Sequence, residues 1–266
     1  MSLEIYSQLR GLKMSRLTKI LGFILMPLLW IILSYFLKVP ENYLPSPLSV
    51  IKEFYELKSL FLYHFSLTAI RLAAGMAGGI FIGILIGYLM FKYEQFDNLF
   101  QPFAQSIRAI PPVATIPFFL LWFGFSDKGK VLMLIVAVSV NLAFSGYQIL
   151  YDMPEKYRIS LLNLGINRRD MSIKIAIPLI LEKILPTLRF ALVISIASII
   201  TIEMIGSQSG LGYLIQTART TFNLSGIFVC VFLLAILSYI YDTLTIVIIK
   251  KLVYWERRLD YEEVRF

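Results

Sequence analysis

Residues 72–91 read LAAGMAGGIFIGILIGYLMF, a run without a charged side chain. A membrane-spanning helix needs about 20 mainly apolar residues, and this run has that length. Within it Gly75, Gly79, Gly83 and Gly87 recur at every fourth position, so a helix places them in one ridge. Lipid gives no hydrophobic drive for helix association, and close backbone approach across small residues supplies contact instead. The run therefore predicts a spanning helix that packs through its glycines, as either a static or a sliding surface.

The whole chain has the composition of a protein embedded in a bilayer. Of its 266 residues, 58% are hydrophobic and 16% are charged, whereas soluble domains are about half apolar and a quarter charged. The net charge of +8 does not require a nucleic-acid partner, because cytoplasmic loops of membrane proteins carry excess Lys and Arg. The single cysteine, Cys230, excludes an internal disulfide framework.

Apolar runs predict an all-α integral membrane protein with six transmembrane helices. The first run shows no cleavage site of the small-x-small type, so we interpret it as a helix and not as a signal peptide. Pro111 interrupts the third run, where we expect a kink or break. The distribution of the 25 lysines and arginines favours cytoplasmic N- and C-termini. The predicted spans are residues 20–37, 72–91, 99–125, 131–151, 188–206 and 227–249.

Three connections between the predicted spans are longer than simple turns. Residues 38–71 and 207–226 are assigned to the outer side, and the first of these contains LPSP at 44–47 followed by an amphipathic stretch. Residues 152–187 are assigned to the cytoplasm and have helical patterning that Gly165 interrupts. A helix-turn-helix hairpin with exposed apolar and basic groups predicts a docking surface for a soluble partner. The alternative is a linker that lies on the membrane interface.

Several short motifs occur in a recognisable order. Gly165 followed after nine residues by IAIP at 175–178 resembles the second half of the EAA motif of bacterial ATP-binding-cassette importer permeases. The Glu-Ala-Ala itself is absent, since residues 159–161 are ISL and Glu155 is the nearest acid. Over residues 44–249 the chain resembles the nitrate/sulfonate/taurine/bicarbonate branch of the binding-protein-dependent permeases. The motifs that carry this are LPSP at 44–47, RAIPP at 108–112, WFGF at 122–125, EMIG at 203–206 and SGLGYLI at 209–215.

The resemblance implies a type I ABC importer permease (MetI-like) fold in the bacterial inner membrane. Residues 1–60 would hold the cytoplasmic N-terminus, first span and periplasmic loop, 61–249 the permease core, and 250–266 a cytoplasmic tail. The hairpin at 152–187 would couple to a cytoplasmic ATPase, which uses the ATP and Mg²⁺, so that this chain binds no cofactor directly. The implied ATPase-coupling residues are Glu155, Gly165, Arg168, Arg169, Ile175 and Pro178.

The resemblance also implies a transport role and its partners. A periplasmic binding protein would deliver a small solute, a sulfonate, nitrate, taurine or related anion. The same role with a thiamine-precursor or other vitamin-type substrate is the alternative within the family. A second permease copy, most simply in a homodimer, would complete the translocation path.

Charged groups inside predicted spans are the other candidate site residues. Arg108 and Glu203 lie at depths where a charge is costly unless it is paired or faces water. They are expected either to pair with each other or, with Asn141, to line a substrate path or gate. Asp242 is a weaker candidate. His64, assigned outside the membrane core, has no cluster of ligands nearby in sequence and is not expected to bind a metal.

No motif predicts an enzyme. Residues 124–130, GFSDKGK, match G-x4-G-K, but Val131 follows where a Ser or Thr would hold Mg²⁺. Two hypotheses from other classes remain. An ion-coupled secondary transporter would use Arg108, Glu203 and Asp242, and would be expected to show inverted repeats, which the sequence lacks. A non-transporting scaffold would only recruit a cytoplasmic partner through residues 152–187.

Overall fold

The computed structural model describes residues 16–37, 39–152 and 176–253. The chain forms two compact units, Met1–Lys58 with Thr217–Val229, and Ser59–Gln216 with Cys230–Phe266. In the first unit, α1 (Arg16–Ile31) continues into a π-helical turn, Ile32–Phe36, and is followed by α2 (Pro47–Glu56). Ser46 caps α2, since its Oγ accepts a hydrogen bond from the Ser49 amide at 3.1 Å.

The second unit is built around one central helix. The remaining helices are α3 (Lys58–Lys92), α4 (Glu94–Ala109), α5 (Pro112–Phe123), α6 (Asp127–Tyr151), α7 (Ala176–Lys183), α8 (Leu185–Gly206), α9 (Leu211–Thr220) and α10 (Leu224–Leu252). Helix α6 packs against α4, α5, α7 and α8. Its buried Leu134 and Leu142 contribute to two apolar clusters, the second of which also takes in Leu72 of α3 and Leu188 of α8.

The all-α prediction is confirmed for the described residues, but the number of six spans is not. Four helices are long and apolar enough to cross a membrane: α3, α6, α8 and α10. The bent pair α4 and α5 makes a fifth if it counts as one span. The first predicted span, residues 20–37, corresponds to α1 and the π-helical turn, of which Ile24–Phe36 is a shorter apolar helix.

The third predicted span is two helices. The axes of α4 and α5 differ by 101°, so the chain turns through nearly a right angle at the break expected near Pro111. Ile110 and Pro111 both have extended backbones, with ψ of 121° and 129°. Each precedes a proline, and proline disfavours the helical region for the residue before it. Two such residues in succession end α4, and Pro112 then begins α5.

The second half of the predicted outer connection 38–71 is helical. Helix α3 begins at Lys58 and has 35 residues, so residues 58–71 belong to it. Neither Gly nor Pro occurs in that stretch, and nothing in it stops a helix. His64 and Arg71, both assigned outside the membrane core, lie in this part of α3, and their side chains are buried within the protein. Lys130, assigned to the outer loops, is likewise buried, in the first turn of α6.

The four glycines of the ridge are buried where α3 meets α6. A Cβ at Gly79 would come within 2.5 Å of Val138 Cβ, and one at Gly83 within 2.7 Å of Leu142 Cβ. A Cβ at Gly87 would lie 2.6 Å from the Ala143 carbonyl oxygen. Gly75 of α3 lies close to Leu134 of α6. The spacing of four residues on α3 thus matches the spacing of its neighbours on α6, and a larger side chain would separate the two backbones.

Candidate functional site

A polar stripe lies at the start of α3, in line with the glycine ridge. His64, Thr68 and Arg71 are spaced by four and three residues, so they share one helix face with Gly75. All three side chains are buried. Together with Glu203 of α8 and with Asp127 and Lys130 of α6, they form a group that we term the Glu203 cluster.

Glu203 lies at the centre of this cluster and is fully buried. Its Oε1 accepts a hydrogen bond from Arg71 Nη1 at 2.7 Å. Its Oε2 accepts hydrogen bonds from Thr68 Oγ1 at 2.9 Å and from the Gly212 amide at 3.0 Å. A buried carboxylate is tolerated when a cation and several donors surround it, and Glu203 has both.

Arg71 connects Glu203 to the loop that follows α8 and to the start of α6. Its Nη1 also donates to the Ser209 carbonyl oxygen at 3.0 Å, and its Nη2 donates to Ser209 Oγ at 2.7 Å. The same Nη2 lies 2.7 Å from Asp127 Oδ1. The buried Lys130 Nζ donates to that carboxylate at 3.2 Å and to Ser207 Oγ at 2.7 Å. Two cations and two carboxylates therefore balance one another in this cluster.

The cluster caps the N-terminus of α9. The amides of Gly210, Leu211 and Gly212 donate to His64 Nδ1, Thr68 Oγ1 and Glu203 Oε2, at 2.9, 2.8 and 3.0 Å respectively. The first amides of a helix lack partners within it, and its N-terminus favours a negative charge. Gly210 has a φ of +111°, and a Cβ there would collide with the Glu203 carboxylate. The residues of SGLG are thus fixed by backbone contacts with α3 and α8.

The predicted pairing of Arg108 with Glu203 does not occur. Glu203 pairs with Arg71, because three elements bring Arg71, Thr68 and the Gly212 amide to the same carboxylate. Sequence reasoning missed Arg71, Thr68, Asp127 and Lys130 as members of a buried site. The sequence does contain a signal for three residues of this cluster. His64, Thr68 and Arg71 are spaced by four and three residues, and Gly75 of the glycine ridge follows four residues later on the same helix face.

Arg108 lies in a different place, at the bend between α4 and α5. A cavity of about 300 Å³ opens there, lined by residues of α4, α5, α6 and α8. Arg108 and Asn141 both line it, so the structure does bring these two predicted residues together. Pro111, Phe119 and Phe190 supply apolar walls.

The Arg108 side chain lies over an aromatic ring and is exposed. Its guanidinium carbon is 4.7 Å from the centroid of the Phe144 ring, a cation–π distance. Among the residues that the structure describes, none forms an ion pair with Arg108. Asn141 donates its Nδ2 to the Ala137 carbonyl oxygen at 2.9 Å within α6. The cavity thus combines a cation, an amide and aromatic surface.

The remaining predicted residues fall into three groups. Asp242 of α10 accepts two hydrogen bonds from Arg189, at 2.6 and 2.9 Å, and so is held in an ion pair. Pro178 lies half-buried in α7. The predicted coupling residues Glu155, Gly165, Arg168, Arg169 and Ile175 lie outside the described residues.

The G-x4-G-K sequence has a local structural explanation. Ser126 Oγ accepts a hydrogen bond from the Gly129 amide at 3.3 Å and so caps α6, while Gly124 takes a positive φ of 64° before it. Lys130 is directed to Asp127 and Ser207. Across residues 16–37, 39–152 and 176–253, His, Cys, Asp and Glu side chains form no cluster that could hold a metal ion.

Comparison with known proteins gives the family. Residues 79–254 match the model of the binding-protein-dependent transport system inner membrane component. The formylaminopyrimidine transport permease protein ThiX of Halalkalibacterium halodurans is 29% identical over 219 residues, 82% of this chain and 87% of the relative. The putative aliphatic sulfonates transport permease protein SsuC of Bacillus subtilis is 25% identical over 236 residues, 88% of this chain and 85% of that relative.

Two further similarities agree with this. The taurine transport system permease protein TauC of Escherichia coli is 22% identical over 179 residues, 67% of this chain and 65% of that relative. A chain in a structure of the MetNI methionine ABC transporter in inward-facing conformations shares the fold, with a TM-score of 0.59 and 17% identity over 74% of this chain and 97% of that chain. This chain therefore belongs to the binding-protein-dependent transport system inner membrane components, and it is a permease subunit of an ATP-binding-cassette importer.

Proposed function

We propose that this permease carries a small solute with an anionic group, such as a sulfonate, taurine or nitrate, along a path that passes the Arg108 cavity. The observation that carries the proposal is the position of Arg108. It lines a cavity of about 300 Å³ at the bend of α4 and α5, beside Asn141 and over the Phe144 ring. The names of SsuC and TauC, which are similar to this chain, point to the same class of solute.

The chemistry of Arg108 suits an anion. A guanidinium presents paired donors in a fixed plane that match the oxygens of a carboxylate, phosphate or sulfonate. A cation in a spanning segment is costly without a partner, and a passing anion would supply one at the moment of transport. The cavity volume is at the lower end of ligand sites, which fits a solute of a few non-hydrogen atoms.

A formylaminopyrimidine is the second candidate, because ThiX is similar to most of this chain. Phe119 and Phe190 line the cavity and Phe144 lies under Arg108, so a flat ring could stack between aromatic and guanidinium faces. The two candidates differ in that only the first carries an anionic group. Recognition of that group depends on the positive charge of Arg108.

Uptake into proteoliposomes separates the candidates. The importer, reconstituted with its ATPase and binding protein, is given labelled taurine or a labelled formylaminopyrimidine. For an anionic solute, we expect Arg108→Ala to reduce uptake at least about tenfold and Arg108→Lys to retain a part, since loss of a charge-assisted contact is worth about 1.5–3 kcal/mol. Arg219→Ala, at an exposed arginine of α9, is the matched control. Unchanged taurine uptake in Arg108→Ala would contradict the proposal.

The assembly that we propose contains two permease chains, because one chain provides only half of a translocation path. Membership of the family implies ATPase and binding-protein partners. We propose two copies of this permease around one path, with both termini in the cytoplasm. The described residues contain four helices that qualify as spans, or five with the bent pair, which is few for enclosing a path alone and supports this arrangement.

Residues 152–187 are the proposed contact with the ATPase. Gly165 and the basic pair Arg168 and Arg169 stand in the part of the motif that resembles importer permeases. Reversal of both charges to Glu is expected to reduce co-purification of the ATPase while membrane insertion is kept. Arg189→Glu, at the exposed arginine that pairs with Asp242, is the control for a general charge effect. Undiminished co-purification of the double variant would refute the assignment.

A further inference from the structure

Helix α2 has an apolar face that none of the described residues of its own unit covers. Leu48, Ile51 and Tyr55 are 66%, 53% and 68% exposed. They are spaced by three and four residues, so at 100° per residue they point within an arc of about 60°. Single exposed apolar side chains need no explanation, but three on one face of a ten-residue helix do.

The rest of α2 divides into two other faces. Val50 is buried, and Glu53 Oε1 accepts a hydrogen bond from Asn223 Nδ2 at 2.7 Å, so this side is fastened to the chain just before α10. Lys52 and Glu56 form an exposed ion pair at 3.7 Å on a third side. The helix therefore has an attached face, a charged face and an apolar face. The apolar face is on the opposite side of the helix from the attached face, with the charged face between them, as in a helix that lies beside protein and turns its outer side to an apolar medium.

The start of α2 is tied to the apolar helix before it. The Trp30 indole N–H donates to the Pro45 carbonyl oxygen at 2.9 Å, two residues before α2 begins. Trp30 lies six residues before Phe36, where the helical stretch ends, which is about 9 Å along a helix axis. Phe36 and Leu37 beyond it are strongly exposed. Pro45 is therefore held within the length of an apolar helix.

We propose that the apolar face of α2 is embedded in the lipid at one membrane interface. The Trp30–Pro45 contact ties the start of α2 to α1 and its π-helical turn, which carry many exposed apolar side chains between Ile24 and Leu37. An amphipathic helix in this position buries its apolar side about 5–10 Å into the headgroup and acyl boundary. Tyr55 is suited to that boundary, where aromatic residues with a polar tip are enriched.

A protein occupant fits the face less well. A specific interface buries about 800 Å² on each partner, which is far more than three side chains provide. The neighbouring Lys52 and Glu56 are already paired with each other and offer no unbalanced charge to steer a partner. The proposal depends on membership of the membrane family and not on the substrate.

Spin labels at adjacent positions test the proposal. Cysteines replace Ile51 and, as the matched control, Lys52, in the Cys230→Ser background, and each is labelled with a nitroxide. The complete importer is reconstituted into vesicles of phosphatidylethanolamine and phosphatidylglycerol. Because oxygen partitions into lipid and a nickel chelate stays in water, the ratio of their collision rates should be several-fold higher at residue 51 than at residue 52, as expected for a face about 5–10 Å deep. If Ile51→Cys fails to assemble, Leu48→Cys is compared with Glu56→Cys, which lies about 80° around the helix.

Three outcomes would overturn the proposal. Equal nickel accessibility at residues 51 and 52 would place the face in water. Shielding of residue 51 from both reagents would indicate a protein cover, such as a second copy of this chain. Nickel accessibility at residue 51 that disappears only when the binding protein is added would make the face its docking surface.

Discussion

Arg71 and Arg108 are two arginines of one membrane protein in opposite situations. The side chain of Arg71 is only 4% exposed and meets two carboxylates and two groups of Ser209. Arg108 is exposed, lies over Phe144, and forms no ion pair with any residue in the described part of the chain. Both are costly to place in an apolar medium, but only Arg71 has its cost offset within the chain. The difference separates an arginine that holds the structure from one that is accessible to a solute, as we propose.

The surroundings of each arginine explain this division. Arg71 lies where α3, α6, α8 and the start of α9 converge, and each supplies a fixed polar group. Arg108 is the second-last residue of α4, just before two extended residues that turn the chain by 101°. A helix end at a sharp bend leaves room beside it, and this room is the cavity. Arg71 is therefore fixed by the helices that meet around it, whereas Arg108 is accessible because its helix ends at a bend.

The largest expected effect is the loss of Arg71. Arg71→Ala leaves Glu203 buried and without its cation, a change that costs about 3–5 kcal/mol. Arg108→Ala removes an exposed side chain and should change stability by no more than about 0.5 kcal/mol. Thermal unfolding of the two purified variants, followed by size-exclusion chromatography, compares them directly. Similar losses of folded protein in both would erase the distinction between the two arginines.

A double variant shows whether the ion pair itself is responsible. Replacing a buried pair by apolar residues of similar volume is often neutral, while removing one partner is not. Arg71→Met combined with Glu203→Leu should therefore be more stable than Arg71→Ala alone. It should not recover fully, because the Gly212 amide and Asp127 lose a partner.

The sequence predicts much of this fold and little of the Glu203 cluster. The glycine spacing predicts a packed ridge, and Pro111 predicts the break in the third run, since both effects are local. The start of α3 was missed because residues 58–71 were included in the connection between the first two spans, although they contain no helix breaker. Extending the face of the glycine ridge toward the N-terminus of the helix would have reached Arg71, Thr68 and His64.

The partner of Glu203 could not be predicted from the sequence. Glu203 and Arg71 are 132 residues apart in the sequence. Whether Glu203 pairs with Arg71 or with Arg108 depends on where α3 and α4 lie relative to α8. Periodicity places a residue on a face but does not say which face of another helix it meets. The motifs EMIG and SGLG do mark the right region, since both contribute to the cluster through Glu203, Ser209 and the Gly212 amide.

Thr68 allows a smaller test of how the cluster holds α9. Thr68→Val keeps the shape but leaves the Leu211 amide and Glu203 each without one partner. An unsatisfied buried group costs about 1–3 kcal/mol, so we expect a loss of stability in that range. Amide hydrogen exchange at residues 210–212 should also become faster, which a general loss of packing would not confine to this loop. Thr68→Ser keeps the hydroxyl and is expected to protect these amides as the native residue does.

Asp127 should show the smallest effect, although it touches the same buried cations. It is the exposed member of the Glu203 cluster, with 61% of its side chain accessible, and water screens its attraction to Arg71 and Lys130. Exposed ion pairs contribute about 0–1 kcal/mol, so Asp127→Asn should lower stability by less than that and the loss should shrink as salt is raised. Thermal unfolding at low and high ionic strength measures both. If Asp127→Asn were as damaging as Arg71→Ala at every salt concentration, the balance of the cluster would rest on its exposed carboxylate and not on Glu203.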